Sequence, residues 1–161
     1  MEQHAINSTY HFYKSIEELP HADQDVILAA RQATEHAYAP YSGFYVGAAV
    51  LLANDELISG SNQENASSPV GNCAERVTLS AASAQHPGVA IKTLAISSNS
   101  QGRKREPISP CGMCRQTILE YEERFRQPIN ILLTGEDDTV IQLSSVEDLL
   151  PLPFTIPNRQ S

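Results

Sequence analysis

The chain has only three cysteines, and their spacing is the first sign of chemistry. Cys73 stands in Cys73-Ala74-Glu75, and Cys111 and Cys114 stand in Pro110-Cys111-Gly112-Met113-Cys114. An odd number of thiols, two of them three positions apart, makes a poor disulfide framework and a natural metal site in a reducing compartment. A structural zinc is closed by four protein ligands, whereas a catalytic zinc takes three and keeps one position open for water. Three cysteines fit the open kind and predict one Zn²⁺ per chain. Glu75, two residues past the first ligand, cannot easily join the same coordination sphere but could reach water there, which makes it the candidate proton shuttle. Three thiolates bring such a centre to about −1, which weakens its ability to acidify water relative to an all-imidazole site. Arg76 is placed to offset that charge by donating to a ligand sulfur, and each helix N-terminus at a ligand adds roughly half a positive charge.

Both ligand groups must therefore be carried by helix starts. Gly71 leads into a small-residue helix that begins near Cys73 and stops before Pro87-Gly88, and Cys111 opens a second helix with Cys114, Ile118, Tyr121 and Phe125 on one face. Upstream, Val26, Ala30, Ala33 and Ala37 recur at helical spacing from Asp23 until Ala39-Pro40. Val46 to Leu52 and Glu56 to Ser59 flank the turn Ala53-Asn54-Asp55, and Ile129 to Leu133 and Thr139 to Leu143 flank Gly135-Glu136-Asp137-Asp138, so two hairpins are predicted. Ile91 to Ser97 reads as a buried strand, followed by a polar loop from Ser98 to Glu106 that reads as solvated. The order helix, then β-β-α-β-α-β-β, predicts a mixed sheet flanked by helices. Residues 1–22 form an extension in which Thr9 to Tyr13 could add an edge strand and Ser15 with Glu18 fits a capping box.

Several motifs in one order make the chain resemble a known family. Ala39-Pro40-Tyr41-Ser42-Gly43-Phe44, Val46-Gly47-Ala48-Ala49, Asn62-Gln63-Glu64-Asn65-Ala66, Cys73-Ala74-Glu75-Arg76 and Ile108-Ser109-Pro110-Cys111-Gly112-Met113-Cys114-Arg115-Gln116 resemble the small homotetrameric zinc-dependent cytidine deaminases. Leu149-Leu150-Pro151 followed by Phe154 is similar to that family's C-terminal segment. The resemblance implies an α/β fold, a three-layer α-β-α sandwich around a mixed five-stranded sheet, with one catalytic domain over residues 23–154 and a tail over 155–161. It implies hydrolytic deamination of cytidine or deoxycytidine to the uridine product with release of ammonia, in pyrimidine salvage. Water activated at zinc would attack C4 while Glu75 shuttles protons. Zinc would be held by Cys73, Cys111 and Cys114, with Arg76 and Pro110 behind them. Asn62 and Glu64 would hydrogen-bond the ribose, which suits two polar residues two apart in an extended segment, since they project to one side. Phe44 would pack against the pyrimidine, the backbone of Ala66 and Ala74 would meet the base edge, and Phe154 would reach the site of a neighbouring subunit in a homotetramer. The small residues Ser80 to Ala84 offer a helix surface for close packing.

Three departures from the family pattern concern the surroundings of the site. Ser68 stands where many relatives carry an aromatic, Val77-Thr78 follows Arg76, and Asn72 precedes the first ligand. The Ser68 change keeps open the same chemistry on another amino-heterocycle or a nucleoside antibiotic. A structural zinc module that binds a protein partner is the reading from another class, but it needs a fourth ligand and gives Glu75, Asn62 and Glu64 no role. The five histidines, His4, His11, His21, His36 and His86, lie outside all the motifs and read as surface or interface residues. A net charge of −8 over 161 residues is a poor footprint for a phosphate backbone, so nucleic acid is an unfavoured partner. No apolar run reaches the roughly 18 residues a membrane span needs, so membrane is excluded as a partner and a cytoplasmic location is expected.

Overall fold

The computed structural model describes residues 1–99 and 106–156. Most of the polar loop after residue 98, and the end of the tail, lie outside the described residues. Strand β1 (His11–Tyr13) is followed by a 3-10 turn at Ile16–Glu18 and helix α1 (His21–Ala33). Strands β2 (Tyr45–Leu52) and β3 (Leu57–Ser61) precede helix α2 (Ala74–Gln85), strand β4 (Ile91–Asn99), helix α3 (Gly112–Phe125) and strands β5 (Asn130–Thr134) and β6 (Val140–Leu143).

The strands form one sheet in the order β1-β6-β5-β4-β2-β3. All neighbours are antiparallel except β4 and β5, which run parallel as a pair joined through α3 should. Both predicted hairpins form. The sheet has six strands where the family resemblance implies five, because β1 of the N-terminal extension pairs with β6 and extends the edge.

Alternation along the central strands assigns the layers. Ala49, Ala95, Leu132 and Val140 pack with Val26, Ile27 and Ala30 of α1 on one face. Their neighbours Ala48, Val50, Leu94, Ile96, Ile131 and Leu133 pack with Leu79 and Ala82 of α2 and Ile118 and Leu119 of α3 on the other. A strand buried on both faces needs apolar residues at every position, which is why the middle strands read as continuous hydrophobic runs. The predicted first helix is shorter than its apolar periodicity: α1 ends at Ala33 and tightens into a 3-10 turn at Thr34–His36, with the Thr34 hydroxyl bonded back to Arg31 O at 2.7 Å. Ala37 has left the helix.

A chain of side-chain hydrogen bonds crosses the α1 face of the sheet. Asp23 accepts from Thr93 Oγ1 (3.2 Å) and Asn130 Nδ2 (3.3 Å), Asn130 accepts from Gln142 (2.8 Å), and Gln142 accepts from the Tyr13 hydroxyl (2.8 Å). It ties α1, β4, β5, β6 and the added β1 together.

Candidate active site

Cys73 and Cys111 are the N-cap residues of α2 and α3, and neither uses its side chain to cap its helix. Their sulfurs are left to face each other. Cys73 Sγ lies 3.8 Å from Cys111 Sγ, Cys111 Sγ lies 3.5 Å from Cys114 Sγ, and all three fall within 4.8 Å of one another. Thiolates ~2.3 Å from a tetrahedral zinc sit about 3.8 Å apart, so this donor set fits the ion. The helix N-termini direct partial positive charge at the same point. Contact with Cys114, aided by Cys111 and the Arg76 charge and opposed by burial, pulls the Cys73 thiol down to about 6. The contact with Cys73, together with burial, pushes the Cys114 thiol up.

Glu75, in the first turn of α2, is 4% exposed. Burial pushes its carboxyl above the usual range, against hydrogen bonds from its own amide and from Cys114. It opens onto a cavity of about 330 Å³ whose walls include Phe44, Asn62, Glu64, Cys73, Ala74 and Cys111. Seven of the predicted site residues, Glu75 among them, therefore line one cleft, and buried Cys114 holds its sulfur 3.5 Å from that of Cys111. Ala66 lines a neighbouring hollow that shares Glu64, Ser68 and Gly71 with the main cavity. Phe154 is 71% exposed and is not among the cavity's walls; its carbonyl accepts from Gln116 Nε2 at 3.0 Å. Pro110 is buried, and its carbonyl accepts from Arg115 Nε at 2.9 Å, which joins the Cys111 turn to the first turn of α3.

Arg76 departs from expectation. Its guanidinium donates to Gly71 O (3.0 Å) and Asn72 Oδ1 (2.6 Å) instead of a sulfur, and its influence on Cys73 is through charge. Asn72, singled out in the sequence only as a departure, is thus the residue that grips Arg76.

The segment 62–64 is extended, bridged on one side to Tyr38 and on the other to Asn72. Asn62 and Glu64 accordingly project together, toward residues 41–46. Asn62 Oδ1 accepts from Val46 N (2.8 Å) and its Nδ2 donates to Phe44 O (2.9 Å). Glu64 accepts from Tyr41 N (2.9 Å), Ser42 N (3.3 Å) and the Ser42 hydroxyl. An amide offers two hydrogens and two lone pairs, and a carboxylate about four lone-pair sites, so each side chain keeps capacity for a ligand. The Ser42 hydroxyl, first among these contacts, holds the Glu64 carboxyl below its usual range.

Residues 20–126 match the family model described as the cytidine and deoxycytidylate deaminase zinc-binding region. The chain belongs to the cytidine deaminase family. It is 40% identical over 134 residues to a cytidine deaminase of Halalkalibacterium halodurans, covering 82% of this chain and 93% of the relative. The crystal structure of cytidine deaminase from Burkholderia pseudomallei superposes with a TM-score of 0.69 at 38% identity, covering 81% of this chain and 97% of that one. A blasticidin-S deaminase of Bacillus cereus is more distant, at 28% identity over 114 residues, 69% of this chain and 77% of the relative. The family match starts at residue 20, so β1 and the 3-10 turn after it lie outside the matched stretch. Among the described residues, no helix is long and apolar enough to cross a membrane.

Proposed function

We propose that this family member hydrolyses the exocyclic amine of cytidine or deoxycytidine, giving uridine or deoxyuridine and ammonia. The observation that carries the reading is a buried carboxylate, Glu75, lining one cavity with the sulfurs of two helix N-termini. Cys73, Cys111 and Cys114 would hold zinc, which supplies the Lewis acidity that makes water a competent nucleophile near neutral pH. Glu75 takes the first proton that water loses and delivers it to ring N3 as C4 becomes tetrahedral, then takes the proton of the new C4 hydroxyl and passes it to the amine, which leaves as ammonia as the C4 carbonyl forms. Burial of Glu75 favours its neutral form, which suits a group that must hold a proton between steps. Ala74, at the first position of α2, lines the same cavity and offers backbone groups to the base edge.

Phe44 forms the wall for the pyrimidine, Asn62 and Glu64 receive the sugar hydroxyls, and Ala66 flanks them. A free nucleoside therefore suits the site better than a nucleotide, whose phosphate would meet Glu64 in a chain of net charge −8. The catalytic unit spans residues 23–154, with 1–22 an added edge and 155–161 a tail. In this reading the working form is a cytoplasmic homotetramer, and the exposure of Phe154 in its own chain supports its completing a neighbour's cavity. The test is ammonia release from cytidine, deoxycytidine, cytosine and cytidine monophosphate. Cytidine and deoxycytidine should be used best; equal use of cytosine, or preference for the nucleotide, would contradict the reading.

A further inference from the structure

We propose that Ser42 is a positioning residue for nucleoside recognition, its hydroxyl fixing the Glu64 carboxylate relative to Phe44 at the sugar end of the cavity. The inference rests on the reading of Glu64 and Phe44 as substrate contacts. Ser42 Oγ donates to Glu64 Oε1 and accepts from Phe44 N at 3.0 Å, so a single hydroxyl joins the group expected to bind sugar to the group expected to face the base. The turn that brings Ser42 there passes through Gly43, whose φ of +63° belongs to the left-handed region. Around it, Gly43 N donates to Ala39 O at 3.0 Å, and backbone groups of Tyr41, Ser42, Phe44 and Val46 bond to the side chains of Glu64 or Asn62.

Tyr41, Ser42 and Gly43 are exposed, so no packed core presses this turn into place. Hydrogen bonds must supply its order. The Ser42 hydroxyl is also the largest influence holding the Glu64 carboxyl below its usual range, as a direct charge-assisted bond should be. Without the hydroxyl, Glu64 keeps the two amide bonds to Oε2, but the bonds from Ser42 Oγ to Oε1 and from Phe44 N to Ser42 Oγ are lost. The carboxylate can then rotate, and the ordering that binding requires is no longer made in advance.

The experiment compares wild type, S42A, S42T and E64A with cytidine and 2′,3′-dideoxycytidine, the second lacking both sugar hydroxyls that Glu64 and Asn62 could receive. S42A should fold and bind zinc as wild type does, and should raise KM for cytidine about tenfold with kcat little changed. Its KM for dideoxycytidine should rise much less, through the lost Phe44 bond alone. S42T, which keeps a hydroxyl, should restore most of the preference for cytidine. If E64A loses the preference while S42A keeps it, the Ser42 inference alone is overturned. If E64A also keeps it, the sugar-binding reading of Glu64 has failed. An S42T variant as impaired as S42A would assign the effect to shape and overturn the role of the hydroxyl.

Discussion

Gly47 shows how closely the fold beneath the site is built. A Cβ added there would stand 2.0 Å from Ala30 O, 2.7 Å from Thr34 N and 3.1 Å from Ala33 C. All three obstacles are backbone at the end of α1, so no rotamer change relieves them. Real Cβ contacts almost never fall below 3.0 Å, so Gly47→Ala must push α1 away from β2 by about 1 Å. That end of α1 carries Ala30, which packs on Ala49 and Ala95 across the sheet. Forcing extra volume into a packed core costs typically 1–3 kcal/mol, and rigid obstacles favour the upper end, about 3 kcal/mol. For a chain of this length each kcal/mol moves Tm by about 2–4 °C, so a fall of roughly 6–12 °C is expected. The variant should also bind cytidine less well, because the neighbouring Val46 N–H is the donor that anchors Asn62. Thermal and urea unfolding of the zinc-loaded proteins, run beside cytidine KM, measure both. A midpoint within ~1 °C of wild type would refute the close-approach argument.

Glu122→Ala tests the far end of α3. This carboxylate is 7% exposed and accepts from Ile129 N (2.8 Å), Val146 N (3.1 Å) and the Ser145 hydroxyl (2.7 Å). Leaving two buried amides unpaired costs about 1–3 kcal/mol each, so urea unfolding should show a loss of ~2–6 kcal/mol with turnover per zinc-bound chain retained. Arg76→Gln should lower turnover more than zinc content, since it removes positive charge beside Cys73 without removing a sulfur; zinc analysis and steady-state rates on the same sample decide it. Asp23, whose carboxyl is raised by burial from 3.8, favours the fold more when protonated. That contribution is full below 3.8 and disappears as pH rises through the folded value, so Asp23→Asn should compare better with wild type at pH 7 than at pH 3.5. An identical stability difference at both pH values would count against it.

The layers and hairpins were legible because a central strand apolar at every position, or an apolar face repeating at helical spacing, has few ways to be buried. Ala48, Ala49 and Val50, or Leu94, Ala95 and Ile96, could only belong to the interior of a covered sheet. The pairing of His11–Tyr13 with β6 was harder, because the extension lies outside the family pattern and a three-residue strand has little periodicity. In that pairing Tyr13 lies opposite Val140 and its hydroxyl bonds Gln142, a contact between residues more than a hundred positions apart. The helix extrapolated through Ala37 failed where local hydrogen bonding by Thr34 overrode apolar spacing.

In the site, the metal-ligand candidates and Glu75 stood out because cysteine is scarce in this chain and each group lies at a helix start. Partner choice was not legible. A guanidinium beside three thiols could have bonded a sulfur, but it donates to the Asn72 side chain and the Gly71 carbonyl. Ser42 lay inside a recognisable motif, yet only the fold reveals that its hydroxyl meets both Glu64 and Phe44.

The most direct test is to measure zinc content and cytidine-dependent ammonia release on the same preparations of wild type and Glu75→Gln. Wild type should hold one zinc per chain and release ammonia. Glu75→Gln should keep that zinc and its Tm while losing at least the 10²- to 10⁴-fold typical of general acid–base catalysis. A variant that lost its zinc but turned over normally once metal was resupplied would make Glu75 a structural residue and contradict the mechanism.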